Sequence, residues 1–385
     1  MQTLLDPAIL FFVVGVLAGL MKSNLEIPAP ISRFLSLYLL MALGLKGGFA
    51  LAHAGLTADV ARGLAGAVLL AVAVPAIGFA LLSRVAGRFD AAALAATYGS
   101  VSAVTFVTAM QAFEGMGLAP GGHMAAAMAL MESPAIVMAV MFAGALRSGR
   151  LAGGGAAGAI GTVPAIGAAG TIGTLGTVPA NPGRPVQGAA AVMLGSPATP
   201  GAVALSLAAS GLGAGDGAAR AGLPLGKVLR ESFTDGGQVL LLGAMLVGLV
   251  TGDAGKAAMQ PFSGDLFKGM LAFFLLDMGL ATARHLPALR GASPWLVAYA
   301  LLGPLAHAGL ALALASALGL AAGDAAILTV LAASASYIAV PAVLRHAIPE
   351  ASPALYVGLS LGLTFPFNLL LGIPLYGAAA RALLG

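Results

Sequence analysis

Long apolar stretches separated by short polar breaks dominate the chain. A transmembrane helix needs about 20 apolar residues to cross roughly 30 Å of hydrocarbon. Ten stretches approach this length, near 7-22, 31-52, 61-83, 90-113, 122-146, 232-251, 263-284, 294-320, 324-346 and 353-380. The pattern predicts an all-α integral membrane protein with ten transmembrane helices.

The segment between the fifth and sixth stretches, 149-225, has a different character. It consists almost wholly of Gly, Ala, Pro, Thr and Val, which is typical of a flexible linker. Within it, 190-212 is apolar, but Pro197, Pro200 and repeated Gly and Ser disfavour a stable lipid-facing helix. We therefore expect a first five-helix repeat at 1-148, a linker at 149-225 and a second five-helix repeat at 226-385.

The composition agrees with a membrane protein. The chain is 59% hydrophobic and 8% charged, whereas soluble domains carry roughly 25% charged residues. It has no cysteine, which excludes disulfides, thiolate nucleophiles and cysteine-ligated metal centres.

The basic residues predict the orientation, because cytoplasmic loops retain Lys and Arg. With both termini outside, 13 of the 18 basic residues lie on the cytosolic side: Lys22, Arg33, Arg84, Arg88, Arg147, Arg150, Arg184, Arg220, Lys227, Arg230, Arg284, Arg290 and Arg345. The outer face keeps Arg62, Lys256, Lys268 and Arg381. We expect a multi-pass protein of the bacterial plasma (inner) membrane with a cytosolic linker. The positive-inside distribution then accounts for the basic pI, so we expect membrane lipid and no nucleic acid as a partner.

The two halves of the sequence resemble each other in a consistent register. Residues 14–19 match 247–252, 40–45 match 275–280, 100–103 match 334–337, and Pro134 matches Pro366, at offsets of 232 to 235. Each unit has five spans, an odd number, so the second copy must be inverted. Inverted repeats are typical of secondary transporters that alternate access around a midplane site.

Small and hydroxyl residues interrupt the fourth and ninth stretches at equivalent places, TYGSVSAVTF at 97–106 and AASASYIAVP at 332–341. Broken helices expose N–H groups that bind anions without Lys or Arg. The predicted substrate-binding residues are Gly99, Ser100, Val101, Ser102, Ala103, Thr105, Phe106, Ser334, Ala335, Ser336 and Tyr337. The alternative is that these small residues serve helix packing alone.

Three ionisable residues lie inside predicted spans, Lys46, Glu132 and Asp277. Such residues are costly in a membrane and therefore candidates for function. Sodium prefers oxygen ligands, and the predicted cation ligands are Glu132, Ser102, Ser336, Asp277 and Asn368. The alternative is that Lys46 pairs with one of the acids and neutralises it.

Six strings resemble the sodium-dependent bicarbonate transporter family, first known from cyanobacteria. They are LEIPAP at 25–30, LYLL at 37–40, GLKGG at 44–48, YGSVSAVTF at 98–106, MESPA at 131–135 and LAASASYIA at 331–339. The resemblance covers both five-helix halves. It implies a core domain and a gate domain, a homotrimer, bicarbonate bound between the two broken helices, co-transported sodium, and a PII-like regulatory protein on the cytosolic side.

Sodium-coupled symport of bicarbonate, or of another small inorganic anion, is the leading hypothesis. A bile-acid-type sodium/organic-anion symporter would need a larger apolar cavity. A cation/proton antiporter would need titratable acids at the breaks, where this sequence has serines. A membrane scaffold or sensor would not need repeated hydroxyl breaks. An enzyme is not expected, because the sequence shows no nucleophile–base–acid set and no metal cluster.

Overall fold

The computed structural model describes residues 6–55, 57–157 and 236–385. The helices of the first half are α1 (Pro7–Leu20), α2 (Ala29–Ala54), α3 (Ala58–Leu82), α4 (Arg88–Gly99), α5 (Ala103–Gly115) and α6 (Met124–Ala157). Those of the second half are α7 (Gly236–Gln260), α8 (Phe267–His285), α9 (Pro294–Ala317), α10 (Ala322–Ala333), α11 (Ala339–Ala347) and α12 (Pro353–Leu384). The described ranges contain no strand, so the predicted all-α class is confirmed.

Each predicted apolar stretch coincides with one helix or with one interrupted pair of helices. Seven helical runs in the described ranges are long and apolar enough to cross a membrane, while α1 and α10 are shorter apolar helices. One of the seven, Gly236–Leu289, contains both α7 and α8. The protein is therefore a multi-pass membrane protein by the character of its helices, and the number of ten spans stays a prediction.

The predicted linker lies outside the described residues from 158 onward. Its first residues continue α6 as far as Ala157. Among the described residues, those up to Leu146 and those from Gly236 onward belong to one compact unit.

Within this unit, α1 packs closely along α8 through small residues. A Cβ atom added to Gly15 would lie 3.1 Å from the Cα of Gly279, and one added to Gly19 would lie 2.5 Å from the Cβ of Ala283. Such small residues let two backbones approach directly. Because residue numbers rise together along the contact, α1 and α8 run parallel.

The helices α2 and α7 pack in the same way. A Cβ added to Gly44 would lie 2.8 Å from the Cβ of Ala244, and one added to Gly48 would lie 2.8 Å from the Cα of Gly248. The numbers again rise together, so α2 and α7 also run parallel. The structure thus contains two glycine-lined parallel pairs, α1 with α8 and α2 with α7.

The direction of α2 relative to α8 is the opposite. The Ser32 hydroxyl near the start of α2 donates to the carboxylate of Asp277. Further along α2, the Lys46 ammonium lies 4.3 Å from the ring centre of Phe267. The order along α8 is reversed, so α2 and α8 are antiparallel, and α1 is therefore antiparallel to α2.

The chain changes direction at Gly252, inside the range of α7. Its φ of 53° interrupts the helical run, a conformation that glycine adopts without steric cost. His53 at the end of α2 pairs with Asp253 at 2.6 Å, and the Tyr38 hydroxyl, near the middle of α2, donates to the Phe262 carbonyl. The segment after Gly252 therefore returns along α2 toward α8.

The two halves of each interrupted helix pack into two different buried apolar clusters. One contains buried residues of α5 and α10, such as Phe106 and Leu328. The other contains buried residues of α4 and α11, such as Leu94 and Leu344. Each interrupted helix therefore contributes its two halves to different clusters, with its break between them.

Candidate functional site

The first interrupted helix breaks at three residues. The helix α4 ends at Gly99, and Ser100 and Ser102 both have extended backbone before α5 begins. Ser100, Val101 and Ser102 are 1%, 4% and 4% exposed. The break predicted at 97–106 is therefore present and lies in the protein interior.

The second interrupted helix breaks at the equivalent place. The helix α10 ends at Ala333, Ser334 is extended, and α11 begins at Ala339. Ser334, Ala335 and Ser336 are all buried, and Tyr337 is 8% exposed. The break predicted in 332–341 is therefore also present. Pro341 lies in the first turn of α11, where its missing N–H is tolerated and where it disfavours continuation of the helix toward Tyr337.

The two breaks contact each other directly. The backbone N–H of Ser336 donates to the carbonyl of Thr97 at 2.8 Å. The backbone N–H of Ser102 donates to the hydroxyl of Ser334 at 3.0 Å, and that hydroxyl donates to the carbonyl of Leu331 at 2.9 Å. The structure thus joins residues 232 or more positions apart in the sequence, and we call this contact of 97–102 with 334–338 the crossing.

Ser102 and Ser336 have matching roles at the crossing. The Ser102 Oγ accepts a hydrogen bond from the N–H of Thr105 at 3.2 Å, at the start of α5. The Ser336 Oγ accepts one from the N–H of Val340 at 3.3 Å, at the start of α11. Each hydroxyl uses a lone pair in this cap and still has a proton to donate.

Two further hydroxyls at the crossing have unused hydrogen-bonding capacity. The Ser100 Oγ is buried without a hydrogen-bond partner among the described residues. The Tyr337 Oη is also buried and lies beside the Ser102 hydroxyl, its interaction partner at the crossing. A buried polar atom without a partner costs free energy unless a ligand or water satisfies it. The crossing therefore offers hydroxyl groups that are available to a small polar ligand.

The other predicted substrate residues line or support the same place. Ala103, Thr105 and Phe106 form the first turn of α5. Phe106 and Thr105 are 0% and 1% exposed. Because the first N–H groups of a helix have no acceptor within the helix, the amides of Ala103 and Val104 are available at the start of α5.

Gly99 has a packing partner. A Cβ at Gly99 would lie 2.5 to 2.7 Å from three ring carbons of Pro75 on α3. The missing side chain therefore makes room for Pro75, which is the packing role of small residues in membrane helices.

The predicted cation ligands are not all at the crossing. Glu132 on α6 accepts a hydrogen bond from the Gln238 amide of α7 at 2.6 Å. Asp277 accepts from Ser32, and Lys46 lies over Phe267. Asn368 lies next to the second break, since its amide donates to the Ala333 carbonyl at 2.7 Å. Among the described residues, the ion pairs do not include one between Lys46 and either acid.

No group of three His, Asp or Glu side chains in the described ranges could hold a metal ion. The polar side chains of the crossing itself are hydroxyls, so a cation bound there would use hydroxyl and backbone carbonyl oxygens. Such oxygens suit a hard monovalent cation such as sodium better than a transition metal.

Sequence reasoning missed two carboxylates at the outer ends of the interrupted helices. Asp90, in the first turn of α4, accepts from the N–H of Ser352 at 2.8 Å. Asp324, in the first turn of α10, accepts from the N–H of Gly121 at 2.6 Å. Asp90 and Asp324 are 234 positions apart, and Gly121 and Ser352 are 231 apart. The sequence offset could have identified them, because it equals that of the matched segments.

The sequence was compared with known protein families. The sequence model described as the Na+-dependent bicarbonate transporter superfamily matches residues 7–381, nearly the whole chain. No curated protein matches the chain significantly. The resemblance drawn from the six sequence strings is confirmed.

Proposed function

We propose that the chain, which belongs to the Na+-dependent bicarbonate transporter superfamily, takes up bicarbonate by sodium-coupled symport. Members of this superfamily are transporters and not enzymes. Alternating access around a single site would carry both ions inward. The observation that carries the proposal is the crossing, where two matched serines cap the starts of α5 and α11.

The anion is proposed to bind between these two helix starts. The free N–H groups and the partial positive charge at a helix N-terminus favour an anion. Ser102 and Ser336 each keep a hydroxyl proton for it. The unpartnered Ser100 hydroxyl and the Tyr337 hydroxyl beside Ser102 add polar groups of the right kind for the three oxygens of bicarbonate.

Sodium is proposed to bind next to the anion, where opposite charges stabilise each other. A hydroxyl can donate to the anion while its oxygen faces a cation, so the serines can serve both ions. Glu132, Asp277 and Asn368 remain predicted ligands. The two acids are bonded to Gln238 and Ser32, so a role in cation coupling would require these hydrogen bonds to rearrange during transport.

We also propose that the two halves are inverted repeats. The helices α1 and α7 are equivalent in this scheme, as are α2 and α8, so the pair α1–α8 corresponds to the pair α7–α2. If the repeats had the same orientation, α8 would point the same way as its equivalent, α2. Because α1 is antiparallel to α2, α1 would then also be antiparallel to α8. The parallel contact of Gly15 and Gly19 with Gly279 and Ala283 supports inversion.

The two aspartates give independent support. Exchanging the halves converts the contact of Asp90 with Ser352 into that of Asp324 with Gly121. Each carboxylate joins the start of an interrupted helix to the loop before the last helix of the opposite half, which is α12 for Asp90 and α6 for Asp324. Two equivalent long-range hydrogen bonds are expected of a duplicated fold and not of helices packed by composition alone.

Uptake of labelled bicarbonate into proteoliposomes tests the function. We expect accumulation with an inward sodium gradient and little without it, and no such effect of a potassium gradient. Bile salts in excess should not compete, because the crossing offers hydroxyls to a small anion. Sodium-driven uptake of a bile salt in place of bicarbonate would contradict the proposed substrate. Sodium-independent uptake, or sodium–proton exchange without bicarbonate, would contradict the mechanism.

The same assay tests the acids. Glu132→Gln and Asp277→Asn keep the shape of each side chain and remove its charge. If a residue is a sodium ligand, the sodium concentration for half-maximal uptake should rise. An unchanged sodium dependence in both variants would show that the acids hold helices together through Gln238 and Ser32.

The proposed orientation has both termini outside and the linker in the cytosol, as the positive-inside rule requires. A cysteine introduced at Ala190, in a chain without cysteine, should react only with reagents that reach the cytosol. Labelling of intact cells by an impermeant reagent would contradict this orientation.

A homotrimer and a PII-like regulator on the cytosolic side are carried over from the family as proposals. The mass of the purified protein in detergent tests the homotrimer.

A further inference from the structure

The helix α12 is unusual in having two π-helical turns, Ser360–Thr364 and Asn368–Gly372. A π-turn is rare and often lies at a functional site. The last residue of the first turn, Thr364, and the first residue of the second, Asn368, are four positions apart. Both are fully buried, at 0% and 1% exposure, so one side of α12 carries two polar groups into the protein.

Thr364 holds the first interrupted helix. Its hydroxyl donates to the Ala300 carbonyl of α9 at 2.7 Å. A threonine has one hydroxyl proton, so the Tyr98 hydroxyl must be the donor in the 2.7 Å bond between Tyr98 and Thr364. Tyr98 immediately precedes Gly99, the last residue of α4. The bond therefore fixes the end of α4 at the first break.

Asn368 holds the second interrupted helix. Its amide nitrogen donates to the carbonyl of Ala333, the last residue of α10, at 2.7 Å. Its amide oxygen accepts from the Tyr376 hydroxyl at 2.9 Å, which fixes the orientation of the amide. A carbonyl at the end of a helix has no partner within the helix, so Asn368 satisfies a group that the second break leaves free.

We propose that Thr364 and Asn368 are positioning residues, and that α12 is a shared brace that sets the two breaks at a fixed separation. The brace acts on groups outside the anion site, because neither side chain belongs to the serine caps. For Asn368, bracing is the alternative to the predicted role as a cation ligand, since its amide nitrogen and oxygen both bond within the protein. Its importance for transport rests on the proposed function. With either bond lost, the starts of α5 and α11 would no longer be held at the spacing that one small anion can bridge.

The test uses Thr364→Val and Asn368→Leu, which nearly keep side-chain volume and remove the hydrogen bonds. Ser360→Ala is the matched control, since the Ser360 hydroxyl bonds within α12, to the Tyr356 carbonyl at 2.7 Å. Hydrogen–deuterium exchange of the purified protein reports on 97–106 and 332–340. Each variant removes two hydrogen bonds, of which one holds a break. Loss of that one bond should speed exchange at both breaks by at least roughly five- to tenfold.

The shared brace has a specific signature. Thr364→Val should speed exchange at 332–340, which Thr364 does not touch, as well as at 97–106. Asn368→Leu should speed exchange at 97–106, which Asn368 does not touch, as well as at 332–340. Thr364→Ser should restore wild-type exchange. Adding Tyr98→Phe to Thr364→Val should cause little further change, because the bond that Tyr98→Phe removes is already lost in Thr364→Val. Loosening confined to the break that the residue touches, or exchange equal to Ser360→Ala, would overturn the proposal.

Transport adds a second readout. In protein that takes up bicarbonate, both variants should raise the KM for bicarbonate by about five- to tenfold, while Ser360→Ala leaves KM unchanged. An unchanged KM in both variants would overturn the positioning role. If the wild-type protein takes up no bicarbonate, the proposed function fails, and the exchange data alone decide whether the brace exists. If the larger changes prevent folding, Tyr98→Phe alone removes the same bond and should loosen both breaks.

Discussion

Gly279→Val should prevent recovery of folded protein from the membrane. A Cβ at this position would lie 2.8 Å from the backbone nitrogen of Val16 and 3.0 Å from the Cα of Gly15. These are backbone atoms, so no flexible side chain can move away, and α1 must separate from α8. Overpacking usually costs about 1–3 kcal/mol, and we expect a loss at or above the upper end of that range.

The control for this change lies on the same helix. A Cβ at Gly269 of α8 would have no atom within 4 Å, so Gly269→Val should leave folding intact. The measurement is the yield of monodisperse protein in detergent together with its melting temperature. Equal behaviour of the Gly279 and Gly269 variants would contradict the parallel α1–α8 contact on which the inverted arrangement depends.

The double variant Ser102→Ala/Ser336→Ala should have the second large effect, on transport. A hydrogen bond to a charged group is worth about 1.5–3 kcal/mol, so each serine should contribute roughly ten- to a hundredfold to apparent bicarbonate affinity. If the contributions add, the double variant loses about a hundredfold to ten-thousandfold, which is loss of uptake at ordinary concentrations. The measurement is the concentration dependence of uptake with the sodium gradient held constant.

Residual binding in the double variant has a physical meaning. The N–H groups at the starts of α5 and α11 belong to the backbone, and no side-chain change removes them. Raising bicarbonate should therefore restore some uptake. Uptake that is lost at every concentration would instead indicate that the caps were needed for folding, and uptake with wild-type affinity would exclude both hydroxyls from the site.

The hydrophobic pattern predicted the helices because length and apolarity are local properties of the sequence. The breaks were predictable for a related reason, since clusters of serine and glycine interrupt an otherwise apolar stretch at two equivalent places. Their matching roles followed from the offset that relates Ser102 to Ser336. The helical segment after Gly252 was not predicted, because the predicted stretch ended at 251 and this segment contacts α2 through residues distant in sequence, such as His53 and Asp253.

Long-range partners were not predictable from the sequence. Thr364 and Asn368 lie in an apolar helix, and nothing local shows that they bond to Tyr98 and Ala333. The π-turns that accompany them have no sequence signature here. Gly99 shows the same limit: a glycine at a break suggests room for a ligand, whereas the structure fills that room with Pro75. Only the packed structure distinguishes these cases.

The sequence also left open whether the small residues at the breaks serve packing or binding, and suitable controls exist in the same helices. The Thr108 and Thr329 hydroxyls are buried in α5 and α10 and bond only within their own helices, to Val104 and Ala325. Thr108→Val and Thr329→Val therefore remove a buried hydroxyl without touching the crossing. Ser102→Ala also removes the N-cap of α5, worth about 0.5–2 kcal/mol of stability, and Ser336→Ala removes the similar hydrogen bond to the Val340 N–H.

The most direct test is bicarbonate affinity and melting temperature measured on the same purified protein for the two serine variants and the two threonine variants. An anion site at the crossing predicts that all four lose some stability, but only Ser102→Ala and Ser336→Ala lose affinity, by roughly ten- to a hundredfold each. Serine variants that lose stability as the threonine variants do, yet bind bicarbonate with wild-type affinity, would contradict the site.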